Sequence, residues 1–326
     1  MLAPSRLRRH PIRPAMALFD RAVAASLPLV PRFLMRRLSR RYIAGEQRGD
    51  ALAVALRLRA AGYRLTFDVL GEAVHDRAGV QAAAAEYLAL LEELVRGGLK
   101  EDLYLSLKPT QMGLNLGEDF CYETVARVAE TASALLAFVR FEMEDSPTTD
   151  ATLRVFERLR RRFAAGVGCV LQSRLRRSAA DARALLQSAE PLNVRVVKGI
   201  YMEPPDIAFQ DGGEVNDSYL RIVRILLEGG ARVAAATHDE ALVAGVRGIL
   251  AERPDFAPRV EVQMLLGVRE ELRRQVRAQG LPVRVYLPYG KEWLPYVRRR
   301  LRKNPRLATY ALLGLFARRE RLESAA

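Results

Sequence analysis

Eight short apolar runs, alternating with amphipathic stretches, limit most strongly what this chain of 326 residues can fold into. The runs are rich in β-branched residues and span residues 64–70, 103–108, 138–143, 168–172, 194–198, 232–237, 260–265 and 283–287. The stretches between them repeat apolar residues at helical spacing, as in residues 82–95, 151–164, 180–188, 219–227 and 270–278. Strand–helix alternation is typical of parallel βαβ units. Eight such units predict a closed (β/α)8 barrel of the TIM type.

Two nucleotide-binding alternatives to a closed barrel lack their sequence motifs. No GxGxxG follows the first predicted strand, and no GxxxxGK[ST] occurs in the chain. These motifs bring backbone N–H groups onto phosphates in Rossmann and P-loop proteins. We therefore predict one barrel domain over residues 61–326, preceded by a basic helical arm over residues 1–60.

Cysteine and histidine are too few for a metal site or a disulfide framework. The cysteines are Cys121 and Cys169, and the histidines are His10, His75 and His238. None of them stands at the spacing of a zinc knuckle, a redox CxxC or an HxxxH pair. We predict no metal and a reducing compartment, which here means the cytoplasm.

Positive charge is concentrated at the start of the chain. The net charge is +14, and residues 1–50 hold eleven arginines against three acidic residues. A basic arm can bind nucleic acid or an anionic membrane surface, and a solvated helix explains it equally well. The apolar stretch 22–31 is too short to span a bilayer, and no cleavage site for a signal peptide follows it.

Polar side chains gather where the predicted strands end. Active sites of (β/α)8 barrels lie at the carboxyl ends of the strands, so these residues are the candidates for function. They are Asp68, Glu72, Lys108, Glu142, Glu144, Asp145, Gln172, Arg195, Lys198, Tyr201, Thr237, His238, Gln263, Tyr286 and Tyr289. Lysine, arginine and glutamine around one mouth suit an anionic, planar ligand. A flavin dinucleotide with a carboxylate substrate fits, and so does a sugar phosphate.

A resemblance to a known family decides between these ligands. The last predicted strand ends in YLPYG at 286–290, followed by Tyr296 and by RRRL at 298–301. Seven further blocks stand in order: FDVLGEAV at 67–74, LSLKPTQMGL at 105–114, MEDS at 143–146, VLQS at 170–173, VRVVKGIY at 194–201, ATHD at 236–239 and VQMLLG at 262–267. Together they resemble the proline dehydrogenase family, monofunctional bacterial type, over about residues 40–310.

The resemblance implies a distorted barrel with FAD at its mouth and a final helix that closes the substrate pocket. The implied reaction oxidises L-proline to Δ1-pyrroline-5-carboxylate by hydride transfer from C5 to flavin N5, and the electrons pass to a quinone. This is the first step of proline catabolism. The chain is too short for a second aldehyde dehydrogenase domain, so a separate pyrroline-5-carboxylate dehydrogenase is expected downstream.

Position by position, the resemblance assigns two sets of residues. Arg299, Arg300 and Lys108 match groups that hold the substrate carboxylate, while Asp68 is a candidate to position Lys108. Tyr201, Leu265, Tyr286 and Tyr296 match the pocket walls. The cofactor set is Gln172, Arg195, Lys198, Gly199, Thr237, His238 and Glu142, with Arg195 near the flavin N5.

Three positions depart from the family pattern, and two rival functions remain. Ile200 stands where relatives have alanine, Glu142 replaces an aspartate, and Lys303 replaces an acidic residue. One rival is a hydroxyproline dehydrogenase of the same fold, against which Tyr286 argues. The other is a nucleic-acid-binding protein, which no recognised motif supports. We expect no nucleic acid, and we expect the arm to rest on the inner face of the membrane.

Overall fold

The computed structural model describes residues 35–36, 39–71, 73–101 and 103–303, with side chains as far as residue 298. The chain divides into two compact units. One is formed by Arg41–Glu292, and the other by Met1–Arg40 together with Trp293–Ala326. The arm predicted for residues 1–60 lies mostly outside the described residues, so the predicted division of the chain stays a prediction.

The unit Arg41–Glu292 is a closed barrel of eight parallel strands in sequential order, with β1 paired to β8. The strands are β1 (Arg64–Val69), β2 (Tyr104–Leu107), β3 (Phe138–Phe141), β4 (Val167–Gln172), β5 (Asn193–Val197), β6 (Arg232–Ala236), β7 (Val260–Leu265) and β8 (Val283–Tyr289). All eight predicted strands are present, and the predicted (β/α)8 barrel is confirmed. Closure leaves no sheet edge with unpaired backbone groups.

Helices connect the strands. They are α1 (Arg48–Ala60), which precedes β1, then α2 (Arg77–Arg96), α3 (Glu118–Ala134), α4 (Thr149–Phe163), α5 (Ser178–Leu185), α6 (Gly212–Glu228), α7 (Glu240–Glu252) and α8 (Glu270–Ala278). Aspartates cap three of them: Asp76, Asp211 and Asp239 accept hydrogen bonds from backbone N–H groups of α2, α6 and α7. Such caps satisfy N–H groups that have no partner inside the helix. The ninth helix, α9 (Trp293–Lys303), belongs to the other unit. None of the helices in the described part of the chain combines the length and the hydropathy needed to cross a bilayer.

Strand residues alternate between two buried faces of very different chemistry. The outward positions, such as Phe67, Leu105 and Val194, join the helices in one continuous hydrophobic core. The alternate positions line the lumen, because successive side chains of a strand point to opposite faces. Many lumen positions are polar and buried, among them Thr66, Asp68, Ser106, Arg140, Arg195, Gln263 and Arg284. The barrel is therefore filled with hydrogen-bonded polar groups rather than with the usual layers of branched apolar residues.

Arg140 is one of these groups and is fully buried. Its guanidinium donates to the Cys169 and Asn193 carbonyl oxygens at 2.7 Å each and to the Tyr104 hydroxyl at 2.8 Å. Burial lowers the pKa of Arg140, opposed by the nearby Tyr104. Gly168 makes room for this group, since a Cβ there would lie 2.6 Å from Arg140 Nη1 and 2.4 Å from Asn193 O. Below the mouth, the lumen is therefore filled by closely packed side chains.

Candidate active site at the barrel mouth

Lys108 and Asp68 form an ion pair at the ends of neighbouring strands. Asp68 lies in β1 and Lys108 follows β2, and the Lys108 ammonium donates to Asp68 Oδ1. The Asp68 side chain is fully buried, whereas 15% of the Lys108 side chain is exposed. Burial raises the pKa of Asp68, and the Lys108 charge opposes that rise. Burial lowers the pKa of Lys108, but Asp68 outweighs it and the net direction is upward, so Lys108 stays protonated.

Arg195, in β5, carries a second cation to the same mouth. Its guanidinium donates to Gln263 Oε1 at 2.5 Å, to Ser106 Oγ at 3.1 Å and to the Glu142 carboxylate. Burial lowers the pKa of Arg195, and Glu142 reverses the effect, so the net shift is upward. Glutamate places its carboxylate one methylene farther from the backbone than aspartate would, and at position 142 this carboxylate pairs with Arg195. Two cations, each held in place by a carboxylate, suit the binding of an anion.

Aromatic and apolar side chains stand beside these charges. Tyr286 of β8 is half-buried, and its ring centroid lies 5.3 Å from the Arg195 guanidinium carbon. Burial has the largest influence on the pKa of Asp68 and raises it, while the neighbouring Tyr286 side chain lowers it. Leu265, at the end of β7, pairs in register with Tyr286. Tyr201 follows β5 and is half-buried. These side chains provide partly open apolar surface at the mouth.

Gln172 and Gly199 meet where β4 and β5 end. Gln172 is buried, and its Nε2 donates to Glu144 O at 2.5 Å. Gly199 has a φ of +94°, and a Cβ there would lie 2.7 Å from Gln172 Oε1. Only glycine adopts this backbone without strain and leaves room for the amide. The next residue, Ile200, exposes 66% of its surface, so its extra bulk relative to alanine faces outward.

Lys198, Thr237 and His238 occupy the neighbouring strand ends. Lys198 Nζ donates to Asp239 Oδ2 at 2.6 Å. Burial raises the pKa of Asp239, but the hydrogen bond and the charge of Lys198 outweigh it, so the net direction is downward. Thr237 Oγ1 accepts from the Asp239 backbone N–H at 3.1 Å. His238 Nε2 accepts the Leu265 backbone N–H at 2.8 Å, so this nitrogen carries no proton. These residues join the ends of β5, β6 and β7 into one rim.

The predicted carboxylate-binding pair lies on α9, in the other unit. Tyr296 is a half-buried residue of this helix, and Arg299 and Arg300 belong to its described backbone. The side chains of Arg299, Arg300 and Lys303 lie outside the described residues. Their proposed roles, and that of the final helix as a cover for the pocket, stay predictions.

Three further residues belong to the network around Arg195, although the family motifs did not mark them as site residues. Ser106 Oγ lies 3.1 Å from Thr66 Oγ1 and accepts from Arg195. Gln263 accepts from Arg195 and donates to Glu261 Oε1 at 2.6 Å. Period-two alternation places Ser106, Glu261 and Gln263 on the lumen face together with Arg195, which was the signal available in the sequence.

A second network fixes the loops that surround the mouth. Glu144 accepts from the Thr110 backbone N–H at 2.8 Å and from the Thr110 hydroxyl at 2.9 Å. Glu203, two residues after Tyr201, accepts from the Ser146 N–H at 2.8 Å and from its hydroxyl at 2.6 Å. These bonds tie the segments after β2, β3 and β5 to one another. These hydrogen bonds therefore fix the positions of the loops that surround the mouth.

A closed barrel with its charged and aromatic side chains collected at the carboxyl ends of the strands has the architecture of a (β/α)8 enzyme. Comparison with known proteins identifies the family: a family model described as proline dehydrogenase matches residues 51–309. The chain belongs to the proline dehydrogenase family and is an oxidoreductase.

Individual relatives agree with this assignment. The chain is 35% identical over 285 residues to a protein named proline dehydrogenase from Deinococcus radiodurans, covering 86% of this chain and 91% of that protein. It is 31% identical to proline dehydrogenase 1 of Bacillus subtilis, covering 85% and 90%. In fold it is similar to the crystal structure of proline utilization A (PutA) from Bdellovibrio bacteriovorus inactivated by N-propargylglycine. That match has a TM-score of 0.79 at 23% identity and covers 89% of this chain and 37% of the other.

Proposed function

We propose that this protein oxidises L-proline to Δ1-pyrroline-5-carboxylate with FAD as its cofactor and passes the electrons to a quinone. The observation that carries the proposal is the pair of fixed cations at the barrel mouth, Lys108 and Arg195, in a chain of the proline dehydrogenase family. One cation serves the substrate carboxylate and the other serves the cofactor. The reaction is the first step of proline catabolism.

The residues at the mouth fit a flavin dinucleotide by the chemistry of their donors. Arg195 and Lys198 supply positive charge, while Gln172 and Thr237 add buried polar groups. A Cβ at Gly199 would lie 2.7 Å from Gln172 Oε1, so glycine lets the backbone after β5 pass close beside this amide. In this proposal Gln172 contacts the ring system, while Lys198, Gly199, Thr237 and His238 hold the ribityl and diphosphate part. Glu142 orients Arg195.

When bound, the flavin supplies the acceptor, at N5, for the hydride that leaves proline C5. The protein binds and orients the substrate for this step, and correct placement provides most of the rate. Lys108 binds the carboxylate, and by the family resemblance Arg299 and Arg300 would assist it, because the planar fork of a guanidinium donates two hydrogen bonds to a carboxylate. By the same resemblance, Tyr201, Leu265, Tyr286 and Tyr296 would contact the apolar ring of the substrate.

The charge state of Lys108 bears on the proton of the substrate amine. The ring nitrogen must lose its proton before hydride leaves, because its lone pair drives the departure. Asp68 keeps Lys108 protonated, so Lys108 acts as a cation for the carboxylate and not as the acceptor of this proton. Arg195 would supply positive charge beside a bound flavin and so favour its reduced, negatively charged form.

Steady-state turnover tests the reaction. The FAD-loaded protein is incubated with L-proline and a soluble quinone analogue, and the product is identified by mass spectrometry. We expect Δ1-pyrroline-5-carboxylate, with kcat/KM for L-proline at least ~10-fold above that for 4-hydroxyproline, since one misfit polar group in a tight pocket costs about that much or more. Absence of this product would refute the proposed reaction. A preference for 4-hydroxyproline would favour the rival dehydrogenase.

We further propose that the basic arm places the protein on the inner face of an anionic membrane, where a quinone is available. Lys and Arg near such a surface contribute about 1 kcal/mol each. Sedimentation with anionic and neutral vesicles compares the full chain with a variant that lacks residues 1–45. Binding of the full chain alone, and only to anionic vesicles, is expected, and equal binding of both forms would contradict it. A separate pyrroline-5-carboxylate dehydrogenase would then consume the product.

A further inference from the structure

Three acceptors from three separate parts of the barrel hold the Arg195 guanidinium. Ser106 lies in β2, Glu142 follows β3 and Gln263 lies in β7, and each accepts from a different nitrogen of the guanidinium. An arginine side chain has several rotatable bonds, and its planar fork is fixed only when its N–H groups meet acceptors on more than one side. The direction in which Arg195 presents its charge is therefore set by these three residues.

Gln263 is an acceptor whose own orientation is fixed by a further residue, Glu261. An amide side chain has an oxygen that accepts and an NH2 group that donates. Gln263 Nε2 donates to Glu261 Oε1 at 2.6 Å, and this bond turns Oε1 toward Arg195 Nε, 2.5 Å away. The opposite orientation would set an NH2 group against the guanidinium and another oxygen against the Glu261 carboxylate. Glu261 thus fixes which end of the amide meets Arg195.

Glu261 is in turn held as a carboxylate. Arg284 Nε donates to Glu261 Oε1 at 2.7 Å, and Arg64 Nη1 lies 3.3 Å from Oε2. Burial raises the pKa of Glu261, but Arg284 outweighs it and the net direction is downward. Arg284 itself donates to Leu65 O at 2.8 Å in the wall of the lumen. A continuous chain of contacts therefore runs from the wall through Glu261 and Gln263 to Arg195.

We propose that Gln263 is a positioning residue: it holds Arg195 in the orientation that raises the reduction potential of the bound flavin. The proposal rests on the proposed function, in which Arg195 faces the cofactor. The interaction of a charge with its neighbour depends on the distance between them and on the water let in between. When one of its three anchors is removed, Arg195 becomes free to move away from the cofactor and to draw in water. The flavin then becomes harder to reduce.

Gln263→Met tests this inference without changing the charge of the site. Methionine has nearly the length of glutamine but cannot accept from Arg195. We expect the flavin midpoint potential, measured by equilibration with a reference dye, to fall by about 30 mV. For a two-electron couple this fall corresponds to a tenfold change in the equilibrium constant. We also expect kcat to fall about tenfold while KM for proline changes less than about twofold, because the side-chain hydrogen bonds of Gln263 go to Arg195 and Glu261 rather than to Lys108.

The matched control is Gln279→Met. Gln279 also accepts a hydrogen bond from an arginine, Arg247, but at an exposed position after α8. Its replacement is expected to leave the potential and kcat unchanged. Ser106→Ala is a second variant that frees Arg195 of one acceptor, with the same sign expected for the potential. It keeps the inference testable if Gln263→Met does not fold, as judged by circular dichroism.

A double-mutant cycle separates positioning from a general structural effect. In an Arg195→Met background, Gln263→Met is expected to cause no further fall in potential, because the residue through which it acts is gone. An equal fall in both backgrounds, or no fall in either, would overturn the inference. Failure of the wild-type protein to take up FAD or to be reduced by proline would instead overturn the proposed function.

Discussion

Replacing Lys108 by methionine is expected to weaken both stability and proline binding by removing one charge. The Asp68 carboxylate is fully buried and accepts from Lys108, so the variant leaves it without its counter-charge. Removing one partner of a buried ion pair costs about 3–5 kcal/mol of folding free energy. Asp68 can escape by taking up a proton, which at pH 7 costs about 4 kcal/mol from its ordinary pKa of 3.8. We therefore expect a loss of about 4 kcal/mol.

A second substitution separates the two effects. Asp68→Asn together with Lys108→Met removes both charges, and replacing both partners of a pair is far less costly than orphaning one. The double variant should recover stability to within about 1 kcal/mol of wild type. Proline binding should stay weak, since a charge-assisted hydrogen bond to the carboxylate contributes about 1.5–3 kcal/mol, or roughly 10- to 150-fold in KM.

Urea unfolding at fixed FAD concentration measures the stabilities, and steady-state kinetics measures KM. The pH dependence of stability tests the direction of this effect. A carboxyl whose pKa is raised on folding has no effect on stability below its unfolded pKa. As the pH rises from the unfolded pKa to the folded pKa, the group destabilises the protein more and more. The loss in Lys108→Met should therefore shrink as the pH falls from 7 toward 5. If the double variant is as unstable as Lys108→Met, or if it recovers the wild-type KM, the reasoning is wrong.

Three further predictions concern the barrel. Gly168→Ala should destabilise the protein by about 1–3 kcal/mol through overpacking, whereas Gly248→Ala, with open space around it in α7, should stabilise it by up to about 1 kcal/mol in the same thermal scan. Cys121 and Cys169 are buried, and burial raises the pKa of Cys169 to about 12, so neither should react with a thiol reagent until urea is added. The pKa of Glu261 is lowered on folding, so its ion pairs stabilise the protein above its ordinary pKa of 4.5 and lose that effect as the pH falls further. Stability of Glu261→Gln should then depend less on pH between about 5 and 3 than that of wild type.

The sequence predicted the eight strands because their outward faces are uniformly apolar. Phe67, Leu105 and Val194 lie at positions that pack under the helices, and this requirement leaves a strong β-branched and aromatic pattern. The strand ends followed, and with them the placement of Lys108, Asp68 and Arg195 at one mouth. Motif resemblance supplied roles for these residues that periodicity alone cannot give.

The contents of the lumen could not be predicted in the same way. Arg140 and Arg284 are charged residues inside strands, and alternation alone permits either a solvent-facing or a lumen-facing position. They face the lumen because carbonyl oxygens, Tyr104 and Glu261 supply acceptors there, and those acceptors come from strands far apart in the chain. The dependence of Arg195 on Gln263 has the same origin. Contacts of this kind require the closed barrel before they can be recognised.

In the proposed function, this barrel binds a flavin and L-proline reduces it. The most direct test records the visible absorbance spectrum of the purified, FAD-loaded protein under anaerobic conditions, before and after addition of L-proline. We predict that the bands of oxidised flavin bleach with L-proline and remain with D-proline. A protein that takes up no FAD, or whose flavin stays oxidised with L-proline, would contradict it.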